Sequence, residues 1–260
     1  MLKWRLMLST LPFVAAVLGV KLVVEQGLGF EGVLEFTDVV MVLTGGVFLI
    51  GFMLAGTMAD FKESERLPAD VACTLEAIEE CFAQAAVGRP QVDATALRRS
   101  LLEVADCVDA WLHKRAKPDA PFRAFERLTE AICTMEQQGA GPHATRALRE
   151  LSTLRRVVTR IGVISRTGFL ASGYALLETL TLAIVGLLWI SRFKNRITEV
   201  TLVSFVSLIY IYMVRLIRDI DDPFEYSEGS RRGAAEVELF PLDEYRTRLR
   251  ERVAGKGQSG

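Results

Sequence analysis

The chain has 260 residues, of which half are apolar and 24% are charged, with a formal net charge of −1. That balance gives no electrostatic footprint for a polyanion, so no nucleic-acid partner is expected. Apolar and charged residues in these proportions must be segregated along the chain, and the pattern of that segregation sets the fold class.

A bilayer core of about 30 Å needs roughly 20 helical residues to cross it. Four segments meet that length, near 6–24, 39–59, 169–190 and 200–217. The second, VVMVLTGGVFLIGFMLAGTMA, contains no ionisable residue. The first contains Pro12, and Lys21 near its far end is expected to snorkel to the headgroups. Lys3 and Arg5 ahead of this apolar run have the look of a signal peptide, but no small-x-small cleavage site follows. The third segment is interrupted by Glu178, and the fourth carries Arg215 at its exit.

Basic residues set the orientation. Lys3 and Arg5 precede the first span, Lys62 and Arg66 follow the second, Arg155, Arg156, Arg160 and Arg166 lead into the third, and Arg215 and Arg218 close the fourth. The loop joining spans one and two has Glu25, Glu31, Glu35 and Asp38 but no Lys or Arg. Both termini and the central region are therefore expected in the cytoplasm, with the chain in the inner (plasma) membrane. Arg192, Lys194 and Arg196, in the loop assigned outside, run against the trend but are outnumbered.

The stretch 60–166 reads as a helical bundle. Leu75, Ile78, Phe82 and Ala85 make a short apolar stripe. Leu97, Leu101, Val104, Val108 and Trp111 recur at three- and four-residue spacings, as do Phe125, Leu128, Ile132 and Met135, then Leu151, Leu154, Val158 and Ile161. Gly88-Arg89-Pro90, Pro118 to Pro121 and Gly139 to Pro142 divide these runs. Asp93 and Asp119 are expected N-caps, and Pro142 suits a first helical turn. No strand alternation is seen, and the tail ending GKGQSG reads as disordered. The expected architecture is all-α: a polytopic membrane protein with four transmembrane helices and a cytoplasmic helical bundle inserted between spans two and three. Its parts are 1–59, 60–166, 167–217 and 218–260.

The residues offer little catalytic chemistry. His113 and His143 sit in polar stretches and read as surface histidines. Cys73, Cys81, Cys107 and Cys133 form no CxxC pair; disulfides are one reading, reduced cytoplasmic thiols the better one. No nucleophile has a recognisable base, the Gly-Ala-Gly-Pro turn lacks the residues of a phosphate loop, and no ligand set implies a metal or cofactor. An enzyme is not expected.

The second span carries the most distinctive pattern. At about 100° per residue, Thr44 and Phe52 fall within about 40° of Phe48. Gly45, Gly51, Ala55, Gly56 and Ala59 share that broad face, while Leu49, Ile50, Met53, Leu54 and Met58 lie opposite. Two rings among very small residues fit close helix packing. A second reading, behind the first on the residues alone, is a pore-lining face with a hydrophobic constriction.

Three stretches flank this picture: Ala59 to Arg66 after span two, Arg215 to Phe224 after span four, and Leu239 to Tyr245 beyond. With the order of the spans, they resemble the bestrophin family of ion channels, most closely its bacterial members. Gly51-Phe52 followed by Asp60 to Arg66 matches the family's pore helix and its polar-aromatic exit. Asp219 to Phe224 matches an acidic run closing in Pro-Phe, and Phe240-Pro241-Leu242-Asp243 matches the opening of a short helix. Arg166-Thr167 and Tyr174 are similar to the family's entry to its third span. Departures are the missing tryptophans after span two and the absence of a dense acidic run after Pro223-Phe224. No calcium clasp is therefore expected, and Asp219, Asp221, Asp222 and Glu225 read as structural or surface acids.

The resemblance implies a homo-oligomeric channel for inorganic ions, pentameric in the family, embedded in the lipid bilayer. Thr44, Phe48 and Phe52 would form its neck, and Asp60 and Lys62 would be charges at its inner mouth. Glu178 is expected either to pair with a neighbouring helix or to lie at the interface. The competing reading is a non-conducting membrane scaffold or sensor whose bundle binds a partner.

Overall fold

The computed structural model describes residues 2–29, 32–166, 171–221, 223–224, 226 and 236–255. The expected disordered end at 256–260, Glu31, the start of the third span at 169–170, Thr167, Asp222 and Glu225 lie outside the described residues. The described chain is almost wholly helical. Four of its helices are long and apolar enough to cross a membrane.

The chain divides into two compact units. The first comprises residues 1–61, 167–222 and 233–235. It holds α1 (Leu2–Leu28), most of α2 (Phe36–Ser64), α7 (Ala171–Ile190) and α8 (Arg196–Asp221). Val39, Leu43, Ile50 and Met53 of α2 pack with Leu177, Ile184 and Leu188 of α7 and Tyr210 and Ile217 of α8. Helix α1 lies against α7 and α8. Arg215 donates to the Ser9 carbonyl at 2.8 Å and the Ser9 hydroxyl at 2.9 Å, and its guanidinium covers the Phe13 ring.

Two features of this unit differ from the sequence expectation. A short parallel pair joins β1 (Leu34–Glu35) to β2 (Ser191–Arg192), extended by the Val33 amide on the Ile190 carbonyl at 2.9 Å. Two residues are too few to produce visible alternation, so the pattern carried no strand signal. Gly32 permits the approach, because its φ is +82° and a Cβ there would meet the Ser191 and Arg192 backbone at 3.0 Å. Lys21, expected to snorkel, is instead fully buried. Its ammonium has local partners that outcompete the headgroup region.

The second unit comprises residues 62–166, 223–232 and 236–260. Helices α3 (Leu67–Gly88), α4 (Ala94–Leu112), α5 (Ala120–Gln137) and α6 (Gly141–Ile164) form a bundle, with α3 on α6, α4 on α5 and α5 on α6. Every residue of the four apolar stripes is buried except Trp111, which is half-buried against Gly162. Burial of each large apolar side chain is worth about 1.5–3 kcal/mol, so these stripes hold the bundle together. Helix α9 (Phe240–Val253) lies on α3 and α4, inserting Leu242, Tyr245 and Leu249. Arg246 reaches Asp106 at 2.8 Å and Asp109 at 3.0 Å, and Arg252 reaches the buried Glu79 at 2.6 Å.

Asp93 caps α4, accepting from the Thr95 and Ala96 amides at 2.9 and 3.0 Å. Asp119 makes no such bond; its carboxylate turns to Arg123 at 3.1 Å, and Pro121 occupies the first turn of α5. His113 is not a plain surface histidine. Its Nδ1 lies 3.0 Å from the Asp109 carbonyl, and its ring stacks on Tyr226 with centroids 5.2 Å apart. His143 is half-buried, and all four cysteines are free thiols.

Candidate functional site: the open face of α2

Helix α2 begins with Phe36 and runs without a break to Ser64. Its packed side is fixed by Val39, Leu43, Ile50 and Met53, spaced so that they return to one face at helical period. The close approach on that side centres on Gly46. A Cβ there would lie 2.5 Å from the Tyr210 hydroxyl and 2.9 Å from Ile184 Cδ1.

The opposite side is uncovered in the single chain. Phe48 is 79% exposed and Phe52 is 73% exposed. Thr44, Gly45, Gly51, Ala55, Gly56 and Ala59 are exposed around them. The Thr44 hydroxyl donates back to the Val40 carbonyl at 2.9 Å, so its methyl and hydroxyl stay close to the helix surface. A Cβ added at Gly45, Gly51 or Gly56 would meet nothing within 4 Å. Of the residues that the sequence placed opposite, Ile50 and Met53 are buried, and Leu49, Leu54 and Met58 are half-buried. The face therefore offers two protruding rings flanked by small residues, with the exposed Met41 at its start.

The other expected residues take different places. Asp60 and Lys62 are both exposed on the last turns of α2. Glu178 lies on the second turn of α7, exposed, and accepts from Arg218 of α8, whose guanidinium also covers the Tyr174 ring at 5.8 Å. The acid is thus paired with a neighbouring helix, the first of the two alternatives posed from sequence, and exposed in the single chain. Among the described residues no group of acids, histidines or cysteines is arranged to hold a metal ion.

Sequence reasoning passed over a charged cluster at the other end of the unit. Lys21 Nζ donates to the Ser191 carbonyl at 2.7 Å and the Trp189 carbonyl at 3.1 Å, and lies 3.1 Å from Glu25 and 3.7 Å from Glu199. Arg196 pairs with both acids, and the Trp189 indole donates to the Val17 carbonyl at 3.1 Å. The Lys21–Glu25 spacing of four was the available signal. Glu199 and the carbonyl partners are distant in sequence and left none.

No protein-family model and no curated relative matches the sequence. Solved structures do match. One variant of a bacterial bestrophin homolog from Klebsiella pneumoniae is 14% identical, with a TM-score of 0.75 over 96% of this chain and 99% of that one. A second variant is 16% identical, with a TM-score of 0.70 over 98% and 99%. The form solved by zinc phasing is 15% identical, with a TM-score of 0.69 over the full length of both chains. The chain has a bestrophin-like fold. The likeness covers nearly the whole chain. At these identities the likeness speaks to the backbone and leaves the neck residues to be argued from their own chemistry.

Proposed function

We propose that this chain is a bestrophin-like, homo-oligomeric ion channel of the inner membrane, with α2 lining the pore. The observation that carries the reading is the open face of α2. Most single helices in a bilayer present branched aliphatic residues to lipid. This one exposes Val40, Val42 and Val47 too, but the strip centred on Phe48 and Phe52 holds Met41 with Thr44, Gly45, Gly51, Ala55, Gly56 and Ala59. Small residues let neighbouring helices approach closely, and rings that project between them narrow a lumen to a hydrophobic constriction.

In this reading copies assemble around an axis, five of them as the family resemblance implies, and Thr44, Phe48 and Phe52 form the neck. The bundle α3–α6 is the cytoplasmic domain inserted between the second and third spans, and both termini are cytoplasmic. Asp60 and Lys62 lie at the inner mouth. The permeant species are inorganic ions, and no catalytic step is involved. The bestrophin-like fold and the excess of Lys and Arg on the assigned inner side support this arrangement.

The test is to measure the mass of the purified protein in detergent and ion flux after reconstitution into liposomes. The expected outcome is a closed oligomer that conducts. A monomer, or an oligomer whose flux equals that of empty liposomes, overturns the channel reading.

A further inference from the structure

We propose that Lys21, Glu25 and Glu199 form a proton-operated latch that holds the entry to α2. The ammonium of Lys21 is fully buried and collects four oxygens: two carbonyls at the end of α7 and one carboxylate oxygen each from Glu25 and Glu199. The Glu199 Oε1 facing it is itself buried, with no hydrogen-bond donor of its own. Arg196 adds a second cation, 2.5 Å from Glu25 and 3.3 Å from Glu199. Lys21 and Glu199 are closed to water and Glu25 is largely so, whereas Arg196, 44% exposed, completes the balance of two cations and two anions from the rim.

The cluster is mechanically joined to α2. The Lys21 ammonium sits 5.5 Å over the Phe193 ring, and Phe193 stacks on Phe36, the first residue of α2, with centroids 5.2 Å apart. The same turn, Ser191–Arg192, pairs in parallel with Leu34–Glu35 immediately before α2. The residues that Lys21 clamps are therefore the ones onto which the start of α2 is zipped.

The remaining charges at this end are peripheral. Arg192 and Lys194 on the turn are exposed, as are Glu35 on β1 and Asp38 on the first turn of α2. Thr37 donates to the Glu35 carboxylate at 3.4 Å. Among the described residues, Glu25 and Glu199 are the acids that face the buried ammonium and can lose charge on acidification. Both carboxylates lie on the same ammonium, at 3.1 and 3.7 Å, and both accept from Arg196. Taking up a proton removes one of the two anions that face the buried Lys21 ammonium, and a buried cation short of its counter-charge is unfavourable. The relief is for Lys21 to hydrate, which requires α1 to part from the α7–α8 turn and releases the grip on Phe193. In the orientation proposed above, this end faces away from the cytoplasm, so the latch responds to external acid.

Hydrogen exchange on the full chain in detergent tests this without relying on conduction. At about pH 7.5 the amides of residues 32–36 and 190–193 should be protected, and at about pH 4.5 they should exchange about tenfold faster after correction for intrinsic chemistry. Glu199→Gln should remove the protection at both pH values while α3–α6 exchange as in the wild type. Equal corrected protection of the wild type at the two pH values overturns the latch, and needs no variant to be folded. Wild-type protection in Glu199→Gln at neutral pH overturns it as well. Because the readout is local, its failure leaves the channel reading untouched, and absence of flux leaves the latch untouched.

Discussion

The Tyr210 hydroxyl of α8 donates to the Leu43 carbonyl of α2 at 2.6 Å, and its ring edge lies against Gly46, less than one turn further along. Tyr210 is 1% exposed, so this contact is wholly internal to the first unit. It fixes the rotation of α2 about its own axis, and therefore which residues that helix leaves uncovered. Gly46→Ala should force Tyr210 and Ile184 to move, at a cost of about 1–3 kcal/mol. Tyr210→Phe removes the hydroxyl that the new Cβ would meet. The double variant should consequently be more stable than the sum of the two single losses predicts, and a thermal-unfolding cycle measures the difference.

The last turn of α2 is held in the second unit by a bidentate pair. Arg160 of α6 reaches the two oxygens of Glu63 at 2.7 and 2.6 Å. Arg160's hydrogen bonds, with its charge, hold the Glu63 carboxyl below its usual value against a smaller desolvation effect. A lowered carboxylate pKa gives stability that is present above the unfolded value and lost as pH falls through the folded one. Both side chains are over 40% exposed, so the contribution stays below about 1 kcal/mol. Arg160→Gln should lower the melting temperature slightly at neutral pH, with the difference vanishing in strong acid and shrinking in high salt.

Cysteine labelling reports orientation. Cys73 is exposed, Cys107 and Cys133 are half-buried, and Cys81 is buried with its thiol pKa raised by desolvation. A membrane-impermeant thiol reagent applied to intact cells should leave all four unmodified. After detergent extraction Cys73 should react first and Cys81 last, since the thiolate is the reacting form. Labelling of Cys73 in intact, unleaky cells would reverse the proposed topology.

The parts of the fold that repeat at helical period were legible in the sequence. Leu101, Val104 and Val108 announce a buried face because three- and four-residue spacing has one physical meaning in a helix. The long apolar runs were legible for the same reason, through length alone. The two-residue β1–β2 pair was not, since register needs more residues than that to leave a pattern. Lys21 was misread because its partners, the carbonyls of Trp189 and Ser191 and the acid of Glu199, are more than 160 positions away. The open face of α2 could be drawn on a helical wheel, but which side packs was decided by Tyr210 and Ile184, whose placement only the folded chain supplies.

Glu178 and Arg218 join α7 to α8 with about half of each side chain exposed in the single chain. In water such a pair is worth little, whereas at the edge of a bilayer the alternative to pairing is a charge facing lipid. Glu178→Gln should therefore destabilise the reconstituted protein more than it does the detergent-solubilised one. Arg218→Gln on top of it should recover part of the loss. Equal melting temperatures for wild type and Glu178→Gln in both media would reduce the pair to a solvent-exposed contact.

The final prediction concerns the rings of α2. Four residues of helix rise about 6 Å, so Thr44, Phe48 and Phe52 form a ladder one turn apart. If that ladder faces an axis, truncating a rung removes ring surface from the narrowest part of a lumen and leaves the packed side of the helix intact. Phe48→Ala and Phe52→Ala should then assemble normally and pass ions faster than the wild type in planar bilayers. Met53, 7% exposed on the packed side, makes the opposite control. Met53→Ala should lower stability by about 1–2 kcal/mol, less than the ~2–5 kcal/mol of a water-soluble core, because helices parted within the bilayer keep methionine in an apolar medium and only its packing is lost. Its single-channel conductance should be close to wild type. Unchanged conductance in both phenylalanine variants, with normal assembly, would place the rings against lipid or a neighbouring helix and the pore elsewhere. A wild type that assembles but passes no current would instead leave a non-conducting membrane scaffold as the better account of the chain.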